Sequence, residues 1–261
     1  MSGTGAPPPA SLRLASYNIH IGVGRDGRFH PERLAAVVRE LDADVIALQE
    51  VQLGAGTYDM LTHLERATGY ARLAGPTLRH PTHGHFGNAV LSRLPIVTHR
   101  CLDLSVHGYE PRGALDATID CGGGISLRLL ATHLGLRPTE RRDQVRRLLQ
   151  EVNADTHQGP TVLLGDLNEW FLWGRPLRWL HAHFGRPPAL PTFPSGCPVL
   201  ALDRAWVKPR QCLRGLAVHR SALARLASDH LPVVATLDVA ACAARAAVRA
   251  IPHHSGSLAG A

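Results

Sequence analysis

Apolar residues recur along this chain at two alternating periods. Over residues 12–19 apolar and polar positions alternate, as in a strand with one face in a core, and the run ends at Asn18. Residues 22–30 read as a loop. Pro31 and Glu32 then open a segment in which Leu34, Val37, Val38 and Leu41 fall at helical spacing, which predicts a helix over 31–41. Residues 45–48 form an apolar run that ends at Gln49-Glu50, so strand, helix and strand make one unit whose strands share a sheet. A loop at 54–56 leads to a second helical spacing over 58–68. Past Ala71 the texture changes. Short β-type runs at 88–92, 96–104 and 114–119, broken by Gly, Pro and His, predict antiparallel strands. A tight turn at 120–124 precedes a strand at 126–134.

The clearest helix is predicted over 139–153, capped by Thr139, with Val145, Leu148, Leu149 and Val152 as its inward stripe. Thr161 to Leu164 is a short apolar run that Gly165 ends, a buried strand at the centre of the fold. A short helix at 176–184 and strands at 200–207, 213–219 and 231–237 complete the pattern. The expected architecture is one mixed α/β domain over 12–239, with two mixed, mainly antiparallel sheets packed face to face and helices outside. A Pro/Gly/Ser/Ala-rich tail over 1–11 and an Ala-rich, then Gly/Ser-rich tail over 240–261 flank it.

Composition narrows this picture only slightly. A hydrophobic content of 45% supplies a core and excludes wholesale disorder. No apolar run approaches the roughly 18 residues of a membrane span, and residues 1–9 lack the regions of a signal peptide. The cytoplasm is the expected location. Five cysteines form no C-x-x-C pair, which fits reduced thiols. The net charge of +7 would attract nucleic acid, anionic lipid or phosphorylated metabolites. The basic residues are arginines apart from Lys208, however, and the chain is rich in Ala, Gly and Pro. Coding bias explains that as well as a ligand does. Most of the 16 histidines, among them His80, His83 and His85, read as solvated turn residues.

Candidate chemistry lies where the β-runs end. After Thr161–Leu164 come Asp166 and Asn168, two residues apart, so in extended backbone a carboxylate and an amide leave the core strand side by side. That pair suits a hard metal ion or a phosphoryl oxygen; it also makes a good turn. Five further motifs place polar groups beside buried runs: Ser16-Tyr17-Asn18, Leu48-Gln49-Glu50, Thr132-His133-Leu134, Leu202-Asp203-Arg204 and Ser228-Asp229-His230-Leu231-Pro232. One such residue is ordinarily a cap. Six sets in one chain point to a shared site.

In order and spacing these six motifs resemble the endonuclease/exonuclease/phosphatase superfamily, the group of pancreatic-type deoxyribonucleases, abasic-site endonucleases, neutral sphingomyelinases and inositol polyphosphate phosphatases. The resemblance runs from about Leu12 to Leu237, and Gly-Asp-Leu-Asn with Ser-Asp-His-Leu-Pro is its specific pair. The segment Phe86 to Pro95 is similar to the middle of that family, and Glu110-Pro111-Arg112-Gly113-Ala114-Leu115 looks closest to its small bacterial members. The resemblance implies a four-layer α/β sandwich and a divalent cation, Mg²⁺ or Mn²⁺. It casts Glu50 as direct metal ligand, Asn18 as its neighbour binding metal or phosphate, and Asp229 as completing the metal side. His230 would act on the attacking water, or stabilise phosphoryl charge as imidazolium, with Asp203 holding its tautomer. Asp166 and Asn168 would position water and phosphate, with Asp166 a candidate base. His133 would bind a phosphoryl oxygen or protonate the leaving group, and argues for the deoxyribonuclease or sphingomyelinase branch. Arg112 would clamp phosphate and Asn88 would support it.

The implied reaction is metal-assisted hydrolysis of a phosphodiester, nuclease-like, by a monomer. A phospholipid or sphingolipid is the alternative substrate, and a non-catalytic binding module the third reading. Trp170-Phe171-Leu172-Trp173, directly after the Asp166/Asn168 pair, fits either peripheral membrane contact or a lid packed on the core.

Overall fold

The computed structural model describes residues 9–54, 58–80, 84–239 and 241–242. Among them eleven strands and five helices follow one another as β1 (Ser11–Asn18), α1 (Pro31–Leu41), β2 (Val45–Leu53), α2 (Met60–Thr68), β3 (Ala71–His80), β4 (Gly84–Ser92), β5 (Ile96–Asp103), β6 (Gly113–Asp120), β7 (Ser126–His133), α3 (Pro138–Ala154), β8 (Thr161–Asp166), α4 (Arg175–Phe184), β9 (Asp203–Lys208), β10 (Leu213–Val218), α5 (Ala222–Ala227) and β11 (Val233–Asp238). They build a six-stranded sheet in the order β10-β11-β1-β2-β4-β3 and a five-stranded sheet in the order β5-β6-β7-β8-β9. The pairs β1–β2 and β7–β8 are parallel; the other pairings are antiparallel.

Three apolar cores make this a four-layer sandwich. Leu14, Val45, Ala47, Val90, Leu129 and Val162 fill the space between the sheets. Tyr17, Leu34, Val38, Ile46, Leu48 and Leu61 pack α1 and α2 on the outer face of the larger sheet. Leu130, Val145, Leu163, Leu177 and Trp206 pack α3 and α4 on the outer face of the smaller one. Strands buried on both faces need apolar residues at successive positions, which is why β2 and β8 read as continuous runs and not as alternations.

Side-chain parity then fixes the site. Residues two apart share a face of a strand. Leu14, Leu129 and Val162 point between the sheets, so Asn18, His133 and Asp166 at the ends of the same strands do too; so do Asn88 before Val90 and Asp203 before Ala205. Each lies where the apolar filling stops. The inter-sheet core therefore ends in a polar cleft.

Several boundaries differ from expectation. Gly165 lies inside β8 and does not end it: a Cβ there would collide with the Thr132 carbonyl of β7, so glycine permits the close approach of the two strands. β3 was hidden by Gly75-Pro76; it is an edge strand, where proline is tolerated, and its register slips at Pro76. The α5 turn was not expected. Thr139 does not cap α3: Pro138 occupies the first turn and the Glu140 carboxylate accepts the Arg137 N–H at 3.3 Å. β9 starts at Asp203, not at residue 200. Of the expected tails, residues 1–8, 240 and 243–261 lie outside the described residues, as do residues 55 and 56 of the expected loop and His83. At the described edges Ser11 already belongs to β1, and Val239 and Cys242 are buried in the inter-sheet core. No helix among the described residues is long and apolar enough to cross a membrane.

Candidate active site

Glu50 reaches the cleft by breaking the parity rule. Ile46 and Leu48 face the helices, and so do Val51 and Leu53, an odd step that requires an extra residue. The β2–β4 register slips between Leu48 and Val51, and Glu50 is left-handed at φ 56. The bulge swings the carboxylate to the inter-sheet side. His20 and Asn168 are also left-handed, so three of the five non-glycine residues with positive φ among the described residues belong to this cleft.

On one side of the cleft acidic groups dominate. The Asn18 amide Nδ2 donates to Glu50 Oε1 at 2.9 Å and to Asp166 Oδ2 at 3.1 Å, while its Oδ1 accepts the His20 N–H at 3.0 Å. Two carboxylates thus share one amide. Burial, reinforced by Asp166 and Asp229, pushes the Glu50 carboxyl up, against the pull of Asn18 and His20. Asp229, partly exposed, lies 3.7 Å from His20 Nδ1. This cluster of oxygen donors, short of positive charge, fits a hard divalent cation.

On the other side donors dominate. Arg112 Nη1 lies 3.1 Å from His133 Nδ1, and Asn168 Nδ2 lies 3.0 Å from His133 Nε2 while donating to the Leu134 carbonyl at 2.9 Å. A neutral imidazole has one lone pair, so two donors compete for it. Burial, with Arg112 and His230, pushes His133 down to about 3, against Asp166. Its 3.6 Å approach to Asp166 Oδ2 is therefore not an ion pair. The expected role of His133 as leaving-group acid does not suit a ring held neutral. Arg112 Nε is buried without a partner, another spare donor. Asn88, expected to support the phosphate side with Arg112, is buried and donates to the Gly113 carbonyl at 2.9 Å, which steadies the segment carrying Arg112.

His230 is the opposite of His133. Its Nδ1 bonds Asp203 Oδ2 at 2.8 Å, and its Nε2 lies 3.7 Å from Asp166 Oδ2. Burial alone would lower it, but Asp203, with Asp166 and Asp229 beyond, outweighs burial and pushes it up to about 10. It is an imidazolium at neutral pH. Asp166, Asp203 and His230 form the tightest group of acid and imidazole donors among the described residues. It is not the expected metal set of Asn18, Glu50 and Asp229, and the charge on His230 suits it to protons and phosphate.

Three neighbours were missed from sequence. Thr192 Oγ1 donates to Asp203 Oδ2 at 2.6 Å, the Phe193 ring lies 4.8 Å from that of His230, and His20 faces Asp229. Pro191 and Pro194 frame Thr192-Phe193, a signal that this loop is held rigidly. His20 stands two residues after Asn18, the spacing that served for Asp166 and Asn168.

A two-sheet α/β sandwich whose core opens into a cleft of carboxylates, amides and two imidazoles defines a class of phosphoester-hydrolase fold. Residues 15–230 match the model of the Endonuclease/Exonuclease/phosphatase family. This chain belongs to that family. It is 34% identical over 252 residues to Uncharacterized protein YbhP of Escherichia coli strain K12, a match covering 88% of this chain and 97% of that one. Among solved structures it is similar to an endonuclease/exonuclease/phosphatase from Beutenbergia cavernae, at 25% identity and TM-score 0.72 over 88% of this chain and 72% of that one. It shares the fold of one from Bacteroides vulgatus, at 17% identity and TM-score 0.73 over 88% and 99%.

Proposed function

We propose that this chain is a divalent-metal-dependent phosphodiesterase. One observation carries the reading: an acid-rich half-site of Asn18, Glu50 and Asp166 abuts a donor-rich half-site of Arg112, His133 and Asn168, as a phosphoryl group bound to a cation requires. Glu50, with Asn18 and Asp229 beside it, would hold Mg²⁺ or Mn²⁺. When bound, the cation supplies positive charge that polarises the phosphoryl group.

The chain's own residues do the rest. Arg112, Asn168 and His133 donate to non-bridging oxygens, where the surplus of donors finds its acceptors. Water attacks phosphorus, forming one P–O bond, and passes its proton to Asp166. The bond to the leaving oxygen breaks, and that oxygen takes the Nε2 proton of His230, which Asp203 holds in place.

The expected substrate is a nuclease-like phosphodiester. A second reading, a phospholipid headgroup, gains from residues 170–173, which are exposed and so are not a buried lid. The test is turnover of bis-p-nitrophenyl phosphate, plasmid DNA, RNA, cardiolipin and sphingomyelin with Mg²⁺, Mn²⁺ or EDTA. Hydrolysis should require metal and vanish in His230→Ala. Activity that survives both EDTA and His230→Ala overturns the proposal.

A further inference from the structure

Two residues beyond Asn168 the polar cleft gives way to the most apolar exposed stretch of the described residues. Trp170 is 59% exposed, Phe171 52%, Leu172 44% and Trp173 72%. Four consecutive large apolar side chains in water are unfavourable unless something covers them.

The tip is built, not frayed. Glu169 is buried at its base, where Oε2 pairs with Arg141 Nε of α3 at 3.2 Å and Oε1 accepts the Phe171 N–H at 3.2 Å. The Gly174 N–H closes the turn on the Phe171 carbonyl at 2.9 Å, and a Cβ on Gly174 would strike the Glu169 carboxyl. Phe171 and Trp173 rest on one another, ring centroids 5.3 Å apart. The chain then turns directly into α4.

The surroundings decide what covers it. Arg142, Arg175 and Pro138 line a shallow groove with Phe171 and Trp173. Neither arginine has an ion-pair partner among the described residues, and Glu169, the acid there, is already matched by Arg141. The tip is therefore apolar with a positive flank. Leu136, 66% exposed, sits on the segment whose carbonyl holds Arg141. Aliphatic Leu136 and Leu172, and two rings turned on each other, do not offer the free parallel faces on which nucleic-acid bases stack. They suit the boundary between lipid headgroups and acyl chains, where Trp is favoured and arginine meets anionic phosphate.

We propose that residues 170–173, flanked by Arg142 and Arg175, dock this chain on an anionic phospholipid bilayer with the cleft turned to the headgroups. Resting on the phosphodiesterase reading, this makes a headgroup phosphodiester the substrate.

The test is sedimentation of the full chain with vesicles of phosphatidylcholine, with and without phosphatidylglycerol, together with tryptophan emission. Binding to the anionic vesicles should shift emission to the blue, because Trp206 is buried and Trp179 half-buried, and should fall as salt rises. The double variant Trp170→Ala/Trp173→Ala should lose it. Arg142→Glu/Arg175→Glu should weaken it by roughly tenfold or more. Both should turn over bis-p-nitrophenyl phosphate as wild type does, and His230→Ala should still bind. Overturning results are undiminished binding by the tryptophan variant, equal binding to pure phosphatidylcholine, or a tip that instead binds single-stranded DNA or pairs two copies of the chain. Vesicle binding without turnover of the soluble diester sinks the phosphodiesterase reading and leaves docking standing; turnover without vesicle binding does the reverse.

Discussion

His133 and His230 are near mirror images in position and opposites in chemistry. Each is buried, His133 at the end of β7 and His230 shortly before β11 of the other sheet, and their Nε2 atoms lie 3.6 and 3.7 Å from the same oxygen, Asp166 Oδ2. Burial disfavours the charged form of both. The difference is the group behind each ring. Burial keeps His133 neutral, with Arg112 behind it adding to the effect against Asp166; Asp203 behind His230 outweighs burial and keeps that ring charged. A neutral ring among donors can bind phosphate but has no proton to spare. A charged ring on a carboxylate can neutralise phosphate and release a proton. Under the proposed chemistry, one cleft thus holds two functions that a single histidine cannot serve at once.

The largest test of this asymmetry is removal of the charged ring. His230→Ala should lower kcat/KM for bis-p-nitrophenyl phosphate by about 10²–10⁴-fold, the scale of a lost proton donor. Asp203→Asn should approach it, because the carboxylate that holds the imidazolium is gone. A loss under about tenfold would remove His230 from the chemistry.

The neutral side is expected to matter somewhat less. Arg112→Met should lower activity about 10²–10³-fold, as for loss of one preorganised donor to a developing charge. Arg112→Lys should not restore it, since one ammonium cannot reproduce the planar fork. The same change removes the charge that opposes protonation, so the His133 resonances should titrate at higher pH in Arg112→Met than in wild type. If they do not move, Arg112 is not what sets the contrast.

Stability should carry the contrast with opposite signs in the metal-free protein. His230 is raised to about 10 from 6.5, so it stabilises the fold fully below pH 6.5, and that contribution is lost as pH rises toward 10. His133 is lowered to about 3, so its contribution is present above pH 6.5 and is lost as pH falls toward 3. Urea unfolding at pH 5, 7 and 9 should show His133→Gln flattening the acid limb and His230→Gln the alkaline limb, each by about 2 kcal/mol. Two limbs unchanged by either variant would dissolve the distinction.

How far this was legible in sequence follows from the range of the interactions. Strand parity is local. Asn18, His133, Asp166 and Asp203 each sit two or four residues from an inter-sheet core position, so strand parity explains why they share one cleft, while strand-end motifs and the family resemblance were what singled them out as candidates. Glu50 was found by motif although its parity is wrong, because a bulge is a feature of pairing with β4 and leaves no mark in its own strand. The roles of the two imidazoles were not legible. Their charge depends on Arg112 and Asp203, which only the folded sheets bring alongside. The partner of Asn88 was not legible for the same reason: it is a backbone carbonyl of the opposite sheet.

Thr192 offers the finest test, since it touches the charged side and leaves the neutral one alone. Its hydroxyl donates to Asp203 Oδ2, the oxygen that also holds His230, while Asp203 Oδ1 is buried without a partner. Thr192→Val keeps the shape and deletes the donor. Asp203 then presents more uncompensated negative charge to the ring, so His230 should titrate at still higher pH and release its proton less readily. Activity should fall by about tenfold, the lower end of the range for one hydrogen bond to a charged group, with His133 unmoved. A shift of His133 as large as that of His230 would mean that the two halves of the cleft titrate as one unit, and that the division between them is not electrostatic.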